Sequence, residues 1–331
     1  MKEIPKLHDV YTARRRIRST IRRTPLIDAS ELAARTGAVS VHLKMECLQP
    51  TGAFKVRGAA NKILSLGDEA MRHGVITFST GNHGRAVAYV AGRAGVKAVV
   101  CLSEHVASYR AEMIRKLGAE VAVKGRSQDE AEMNYRALMA ERGLLPVVPF
   151  DDPLIIAGQG TIALEILTTL PDTQVLLVQL SGGGLLAGTA MVAKSINPRI
   201  LVVGLSLAQS PAMVESLKAG RPVQVQEKPS IADSLLGGIG FDNQYTLPML
   251  QQFVDDHVLI SESEIRDGMF HLFDAHRTIA EGAAAVGAGA LLNERVDVRG
   301  KRVVAIVTGS AIDSPAYLSI IQERLERTIT A

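Results

Sequence analysis

The clearest sign of the fold class in this chain is VLLVQLSGGGLLAG, residues 175–188. Its first part, Val175–Leu180, is a nearly continuous apolar run, which is typical of a parallel strand buried on both faces. Three successive glycines follow at Gly182–Gly184, and a helical stretch comes next. A strand, a glycine-rich turn and a helix in this order indicate one unit of a doubly wound α/β sheet.

The same alternation of strand and helix runs along much of the chain. The predicted strands are Val75–Phe78, Ala98–Leu102, Glu120–Val123, Leu201–Gly204 and Arg302–Val307. The predicted helices are His83–Ala94, Ala107–Leu117, Gln128–Arg142 and Ala157–Thr168. Short connections between them favour βαβ units on parallel sheets. We therefore expect an α/β protein with two doubly wound domains and a ligand site in the cleft between them, at the carboxyl ends of the strands.

The composition is that of an ordinary globular protein. Of the 331 residues, 47% are hydrophobic and 21% are charged, which excludes a mainly disordered chain. The formal net charge of +3 is too small to indicate nucleic-acid binding. Six arginines between Arg14 and Arg23 are interpreted as the solvated face of a helix whose apolar stripe would be Tyr11, Ile17 and Ile21.

The cysteines and the apolar runs predict a cytoplasmic protein without a membrane span. Cys47 and Cys101 have neither a metal-ligand spacing nor a disulfide framework, which indicates reduced thiols. The most apolar long stretch, residues 154–193, is interrupted by Glu165, by Pro171 and by a glycine cluster. No segment therefore has the uninterrupted length that a transmembrane helix needs.

One lysine, Lys55, lies in an unusual setting within PTGAFKVRGA, residues 50–59. Gly52 and Gly58 leave room for another group to approach closely. A lysine near apolar groups loses its proton more readily and can act as a nucleophile or a base. The alternative is an ordinary solvated lysine at the start of a helix.

The loop STGNHG, residues 79–84, joins a predicted strand to a predicted helix. Free backbone N–H groups at the start of a helix, together with two hydroxyls and an amide, form an anion site. Helix capping is the alternative for Ser79 and Asn82. For His83, a partly buried and hydrogen-bonded ring is favoured over catalysis.

The glycine cluster and a late threonine complete the candidate site. Consecutive glycines let the N–H groups of Gly182, Gly183 and Gly184 converge on a phosphate, and a structural turn is the alternative. The cluster lacks the Gly-Lys-Thr/Ser ending of a Walker loop. Thr308, within VTGS at residues 307–310, could donate to a ligand nitrogen or cap a helix.

In combination, these motifs resemble the pyridoxal-phosphate enzymes of the tryptophan-synthase-β type (fold type II). The resemblance rests on AFKVRGA at 53–59, STGNHG at 79–84, AGQGT at 157–161 and the glycine cluster, and it extends from Arg23 to Gly309. The branch it resembles most contains the threonine/serine dehydratases and serine racemases, and several motifs are also similar to dehydratases of hydroxyectoine utilisation. The resemblance assigns residues 1–69 and 151–331 to a large domain that binds pyridoxal 5'-phosphate, and residues 70–150 to a small mobile domain.

The resemblance implies a role for each motif. Lys55 would bind the cofactor aldehyde and, once released by substrate, remove the α-proton. The other implied contacts are Phe54 beside the pyridine ring, Asn82 on the ring hydroxyl, the N–H groups of Ser79, Thr80, Gly81, Asn82 and His83 on the substrate carboxylate, Gly182, Gly183, Gly184 and Leu185 around the phosphate, and Thr308 at the pyridine nitrogen. Because a hydroxyl cannot keep that nitrogen protonated as a carboxylate can, the ring is a weaker electron sink, which favours β-elimination over a long-lived carbanion.

Several positions depart from the family pattern. Ala53 stands where a serine is common, and Ser181 replaces the first glycine of the phosphate loop. The usual Glu-Pro near the active site reads Glu281-Gly282, which leaves Glu281 as a residue of the cleft. Serine racemases carry a serine that serves the opposite face of the substrate. At that position this chain has Thr80, a second candidate catalytic residue. The change from serine weakens a racemase assignment, but the hydroxyl that threonine keeps leaves it open.

The predicted function is that of a dehydratase (ammonia-lyase). A 3-hydroxy amino acid of the threonine or serine type would lose water, and the enamine would hydrolyse to a 2-oxo acid and ammonia. The alternatives are a hydroxyectoine-pathway or 3-hydroxyaspartate dehydratase, a serine-type racemase, and a non-catalytic nucleotide- or ligand-binding α/β protein. We expect an amino acid as the binding partner and a homodimer. We expect no divalent metal at the racemase metal site, because by the resemblance Ala212 stands at the position of one of its acidic ligands.

Overall fold

The structure is a computed structural model that describes residues 2–79, 81–104, 106, 108–125 and 128–330. The helices are α1 (Leu7–Ile17), α2 (Ser30–Thr36), α3 (Val56–Leu66), α4 (Asp68–His73), α5 (Asn82–Ala94), α6 (Ser108–Lys116), α7 (Gln128–Arg142), α8 (Pro153–Thr169), α9 (Gly184–Ile196), α10 (Ala212–Ala219), α11 (Thr246–Phe253), α12 (Glu262–Asp274), α13 (Gly282–Leu292) and α14 (Ser314–Thr330). The strands are β1 (Leu26–Asp28), β2 (Ser40–Lys44), β3 (Val75–Phe78), β4 (Ala98–Leu102), β5 (Glu120–Val123), β6 (Leu145–Pro146), β7 (Val175–Gln179), β8 (Leu201–Leu207), β9 (Asp256–Ile260) and β10 (Arg302–Ile306). Among the residues described, no helix is both long and apolar enough to span a bilayer.

The strands form a larger and a smaller sheet. The larger sheet has the order β1-β2-β10-β7-β8-β9 and is parallel except for β1, which pairs antiparallel with β2. The smaller sheet has the order β5-β4-β3-β6, and its pairs are all parallel. Parallel neighbours need crossover connections, which the helices supply, so the α/β class expected from the alternation is confirmed. Movement of residues 70–150 relative to the rest stays a prediction.

The position of β7 between two layers of helices explains why its sequence is apolar along nearly its whole length. Each of its residues is buried. Leu177 packs into a core that α12, α13 and α14 cover, whereas Leu176 and Val178 pack into a second core formed with α8 and α9. Because successive side chains of a strand point to opposite faces, a strand covered by helices on both faces has no position left for a solvated side chain.

Helix α8 begins earlier than the sequence predicts, at Pro153 rather than at Ala157. Oδ1 of Asp152 accepts a hydrogen bond from the N–H of Leu154 at 2.8 Å, and proline is favoured in the first turn of a helix. The cap and the proline therefore set the start, which apolar spacing alone does not locate. Of the predicted helix 107–117, Ala107 lies outside the described residues.

Helix α1 belongs to the arginine-rich start of the chain. It buries Val10, Ala13 and Ile17, a spacing that is typical of a helix packed on one face. Tyr11 is 47% exposed, so its predicted place in the apolar stripe is wrong. The buried stripe begins one residue earlier, at Val10, because the three- and four-residue steps that end at Ile17 lead back to Val10 and not to Tyr11.

Glycines let two helices pack closely against α8. A Cβ atom on Gly158 would lie 2.7 Å from the carbonyl oxygen of Arg57 in α3. A Cβ atom on Gly188 of α9 would lie 2.3 Å from the carbonyl oxygen of Ile156. Neither position has room for a side chain, so the AGQGT motif has a packing function: it brings α3, and with it the preceding Lys55, against the helices of the larger sheet.

A buried cluster of four charged side chains joins β2, α3 and α8. Arg57 Nε lies 2.7 Å from Glu46 Oε2, and its Nη1 lies 2.8 Å from Glu165 Oε1. Lys44 Nζ lies 2.6 Å from Glu165 Oε2. Two positive and two negative charges are thus paired in the interior, where each charge would be costly without its partners.

Removal of the Arg57 guanidinium is expected to destabilise the fold strongly. In Arg57→Met, the carboxylates of Glu46 and Glu165 stay buried with one cation between them, which costs about 3–5 kcal/mol of unfolding free energy. Urea unfolding followed by circular dichroism measures this difference.

The matched control is Arg299→Met. Arg299 pairs with Asp297 at 2.9 Å, but both side chains are mostly exposed, so water and salt screen the pair and we expect only a small loss of stability. Equal losses of stability in the two variants would contradict the assignment of Arg57 to a buried, interdependent cluster.

Candidate active site

The candidate site lies where loops from the two sheets meet. The N–H of Phe54, in the lysine loop, donates to the carbonyl oxygen of Thr308, in the loop after β10, at 3.0 Å. Asn82 is the first residue of α5, which follows β3 of the smaller sheet, and its amide donates a hydrogen bond to the carboxylate of Glu281, just before α13. The structure therefore brings together three motifs that are far apart in the sequence.

Lys55 immediately precedes α3, and its side chain extends towards Pro149. Its Nζ donates to the carbonyl oxygen of Pro149 at 2.9 Å and lies 5.4 Å from the centre of the Phe54 ring. Burial lowers the pKa of Lys55 from 10.5 to about 8, although the carboxylate of Glu281 opposes this shift. A substantial fraction of the amine is thus neutral near pH 8, as a nucleophile or a base requires.

The amide of Asn82 is hydrogen-bonded on one side. Its Nδ2 donates to the two carboxylate oxygens of Glu281, at 2.8 and 3.1 Å. Because a carboxylate accepts hydrogen bonds, the amide nitrogen faces Glu281 and leaves Oδ1 on the other side. Oδ1 is buried and has no partner among the described residues. A buried acceptor without a donor is costly, and the hydroxyl of a ligand would supply that donor.

Glu281 links α5 to the loop after β10. Its Oε2 accepts from the N–H of Ala311 at 3.0 Å, and its own N–H donates to the carbonyl oxygen of Gly309 at 3.1 Å. Burial raises the pKa of Glu281, while the hydrogen bond from Asn82 opposes that rise. The sequence indicated Glu281 as a residue of the cleft, but its contact with Asn82 was missed because no local pattern pairs the two residues.

The glycine loop forms a cradle without room for side chains. A Cβ atom on Gly182 would lie 2.3 Å from the ring of Phe150, and one on Gly184 would lie 2.9 Å from the carbonyl oxygen of Phe150. Gly183 has a φ of +89°, in the left-handed region that favours glycine. Helix α9 begins at Gly184, so the unpaired N–H groups of its first turn are available to an anion at the cradle.

The segment Pro149–Asp151 connects this cradle with Lys55. The carbonyl oxygen of Pro149 accepts from Lys55, and the next residue, Phe150, packs against the glycines. The carboxylate of Asp151 accepts from the N–H of Thr246 at 2.8 Å and thereby holds the segment against α11. Sequence reasoning missed the contacts that Pro149 and Phe150 make here, because a backbone carbonyl and a ring contact leave no motif.

The remaining predicted cofactor residues lie on the side of the larger sheet. Thr308 is buried two residues after the last residue of β10, and Leu185 is buried in the first turn of α9. The ring of Phe54 is partly buried beside the amine of Lys55. The contacts that the resemblance implies between these side chains and a cofactor stay predictions.

The loop of residues 79–83 lies on the side of the smaller sheet. Thr80, the second candidate catalytic residue, lies outside the described residues. The N–H of Gly81 approaches Ser79 Oγ at 3.4 Å. His83 is buried, and its Nε2 pairs with the carbonyl oxygen of Val147 at 2.9 Å. Burial, assisted by a neighbouring ammonium group, lowers the pKa of His83 to about 3, so the ring is neutral and a poor base, which agrees with its interpretation as a buried histidine.

A cavity of about 200 Å³ opens beside Asn82. Arg85, Arg110 and Asp233 are among its lining residues. Arg110 Nη2 lies 3.0 Å from Asp233 Oδ2, and Arg85 Nη1 donates to the carbonyl oxygen of Thr51 at 3.0 Å. Two guanidinium groups at one cavity favour a ligand that carries an anionic group. The sequence indicated Asp233 as a residue that orients the cleft, but not its pairing with Arg110, because the two residues are 123 positions apart in the chain.

Comparison with known proteins agrees with the geometry of the site. The family model "Pyridoxal-phosphate dependent enzyme" matches residues 17–309. A protein of Sinorhizobium fredii, whose name places it provisionally among the threonine dehydratases, is 45% identical over 315 residues, which are 95% of this chain and 95% of that protein. The L-threonine ammonia-lyase of Thermotoga maritima is 38% identical over 97% of this chain and 79% of its own length. Among solved structures, maize serine racemase superposes with a TM-score of 0.90 at 29% identity, covering 98% of this chain and 99% of that one.

The lowered pKa of Lys55 predicts the pH at which its amine reacts. We expect the acetylation of Lys55 by acetic anhydride to reach half its maximum near pH 8, because only the neutral amine attacks the reagent. Mass spectrometry of the peptide that contains Lys55, in protein freed of bound cofactor, measures the extent of labelling. Exposed lysines in the same sample, with an ordinary pKa of about 10.4, are internal controls. A midpoint equal to theirs would contradict the lowered pKa.

Proposed function

The chain belongs to the family of pyridoxal-phosphate dependent enzymes, and we propose that it is a dehydratase of the threonine/serine ammonia-lyase type. Its reaction removes water from a 3-hydroxy amino acid, and the enamine then hydrolyses to a 2-oxo acid and ammonia. The observation that carries the proposal is the half-buried amine of Lys55, with a pKa of about 8, near the glycine cradle. The similarity of the whole chain to L-threonine ammonia-lyases supports the same reaction.

The residues around Lys55 fit the cofactor chemically. The N–H groups of Gly182–Gly184 and of the first turn of α9 would hold its phosphate. Oδ1 of Asn82, which has no donor among the described residues, would accept from its ring hydroxyl, and Lys55 would hold its aldehyde carbon. When bound, pyridoxal phosphate supplies a conjugated ring that accommodates the electron pair left at the α-carbon.

Lys55 moves the protons of the elimination. Its neutral amine accepts the α-proton of the substrate, and the carbonyl oxygen of Pro149 accepts a hydrogen bond from the resulting ammonium group. The same proton then passes to the β-hydroxyl, which leaves as water. One C–H and one C–O bond break and one C=C bond forms, so the step needs neither an oxidant nor a reductant.

Threonine or serine is the proposed substrate, and two observations favour a larger one as the second candidate. Arg85 and Arg110 at the cavity beside Asn82 would suit a side-chain carboxylate, as in 3-hydroxyaspartate. Asp233 at the same cavity would suit an amino group, as in a diamino acid derived from hydroxyectoine. Racemisation is the third candidate, because the hydroxyl of Thr80 could serve the opposite face of the substrate.

We further propose that the protein works as a homodimer in the cytoplasm. A closed two-fold dimer is the commonest assembly of soluble enzymes. The two cysteines, Cys47 and Cys101, are unpaired thiols, which agrees with a reducing compartment. Sedimentation velocity tests the dimer: one species with the mass of a single chain, 35.4 kDa, would contradict it.

The reaction is tested by an assay for keto-acid release from the cofactor-loaded protein. The panel contains L-threonine, L-serine, the 3-hydroxyaspartate diastereomers and a hydroxyectoine-derived diamino acid, and chiral analysis follows the remaining substrate. We expect a keto acid from threonine or serine. Product from the larger substrates alone would transfer the assignment to the second candidate, and inverted substrate without keto acid would identify a racemase.

Lys55→Ala is expected to abolish product formation, because the variant lacks both the group that holds the cofactor aldehyde and the base. The matched control, Lys218→Ala, removes a mostly exposed lysine of α10 that pairs with Glu215, and it should keep the full rate. Turnover that persists in Lys55→Ala would contradict the role of Lys55. Absence of any product in the unsubstituted holoenzyme would favour a non-catalytic ligand-binding protein.

The cradle is tested by adding one methyl group. In Gly182→Ala the new Cβ would meet the Phe150 ring at 2.3 Å, so the loop must shift, and we expect affinity for pyridoxal 5'-phosphate to fall by about 10-fold or more, a loss of about 1.4 kcal/mol. Gly238→Ala is the control, because a Cβ there meets no atom within 4 Å. Absorbance titration of the cofactor measures the affinity, and equal affinities in the two variants would contradict the cradle.

A further inference from the structure

A second cluster of ligand-type side chains lies outside the contacts of the candidate active site. Glu31 is in the first turn of α2, His271 is in α12, and His276 is in the connection between α12 and α13. One ligand atom from each of the three side chains lies within 4.8 Å of the other two. The fold thus joins an early helix to a late helix hairpin through groups that can bind a metal ion.

The two imidazoles are incompletely hydrogen-bonded. Nε2 of His271 and Nε2 of His276 are buried and have no partner among the described residues. The two rings stand edge to face, with centres 5.4 Å apart. Buried nitrogen atoms without a partner are costly, and a metal ion that accepted both lone pairs would remove that cost.

The electrostatic surroundings favour a bound cation. Neutral imidazole is the form that binds metals, and nearby negative charge adds to the attraction for a cation. The carboxylates of Glu31 and Asp28 add negative charge beside His276. Arg35 adds a positive charge near His271 and opposes them, but its guanidinium Nε donates to the carbonyl oxygen of Leu292, at the end of α13.

We propose that Glu31, His271 and His276 form a binding site for a divalent transition-metal ion, with Zn²⁺ as the representative. Two imidazole nitrogens and one carboxylate oxygen are a donor set that suits zinc and its neighbours, whereas magnesium and calcium prefer oxygen ligands alone. Tetrahedral zinc with bonds of about 2.0–2.2 Å holds its ligand atoms about 3.4 Å apart. The ligand atoms must therefore approach one another by up to about 1.4 Å, through rotation of the exposed side chain of Glu31 and of the two imidazole side chains. Water would complete the coordination.

The test is equilibrium dialysis of the holoenzyme against Zn²⁺, followed by metal analysis. We expect one zinc ion per chain that is retained, and a loss of affinity of about 10-fold or more in Glu31→Gln and in His271→Asn, since each removes one ligand. His8→Asn is the matched control, because His8 is an exposed histidine of α1, and it should bind zinc as the unsubstituted chain does. Mg²⁺ at the same concentration should not be retained.

A second measurement separates metal binding from damage to the fold. Zn²⁺ should raise the Tm of the unsubstituted holoenzyme, because a ligand that binds only the folded state stabilises it, and this rise should disappear in Glu31→Gln. Glu31 is exposed, so this variant should keep its circular dichroism spectrum and its Tm without metal. Failure of the holoenzyme to retain zinc, or equal retention by Glu31→Gln, His271→Asn and His8→Asn, would overturn the proposal. Equal retention of Mg²⁺ would overturn the assignment to a transition metal.

Discussion

The buried guanidinium of Arg57 is the interaction on which the rest of the site depends. It donates to Glu46, in the turn after β2, and to Glu165, in α8, and Lys44 neutralises the second negative charge. Charges in the interior tolerate little displacement, because each one that loses its partner keeps the full cost of desolvation. Arg57 is in the first turn of α3, so the position that satisfies its partners also determines where the preceding residue pair, Lys55 and Val56, must lie.

Lys55, which is half-buried, and Arg57, which is fully buried, lie two residues apart, yet their surroundings shift their pKa values in opposite directions. Burial alone lowers the pKa of either group, and for Arg57 the carboxylates of Glu46 and Glu165 outweigh it, so that its pKa is raised. Lys55 contacts a backbone carbonyl and senses only the charge of Glu281, which does not compensate for burial, so its pKa falls to about 8. The same short segment therefore holds one permanent charge that anchors the helix and one amine that can lose its proton near neutral pH.

Much of the fold could be predicted because it follows from local periodicity. The run Val175–Leu180 and the alternation in residues 75–142 have the spacing of buried strands and one-sided helices, and the structure contains them within a few residues. Helix α13, GAAAVGAGALL at residues 282–292, was not predicted, because it is buried on nearly all sides and has no polar face to give a helical period. The two-residue strand Leu145–Pro146 was also missed, because a segment of that length has no period.

The α/β class, the family and the motifs of the candidate site could all be recognised in the amino-acid sequence. Apolar alternation and glycine-rich turns are formed by residues close together in the chain, so a short stretch of sequence is enough to identify them. Only the three-dimensional packing shows which polar groups, far apart in the chain, come into contact. In the folded chain the carboxylate of Glu281 contacts the amide of Asn82, 199 residues away, and the carbonyl oxygen of Pro149 accepts a hydrogen bond from the amine of Lys55. The fold also brings Glu31 of α2 close to His271 of α12 and to His276. Such contacts depend on how helices and sheets pack over long chain separations, and no local pattern records the partner that a buried polar atom will find.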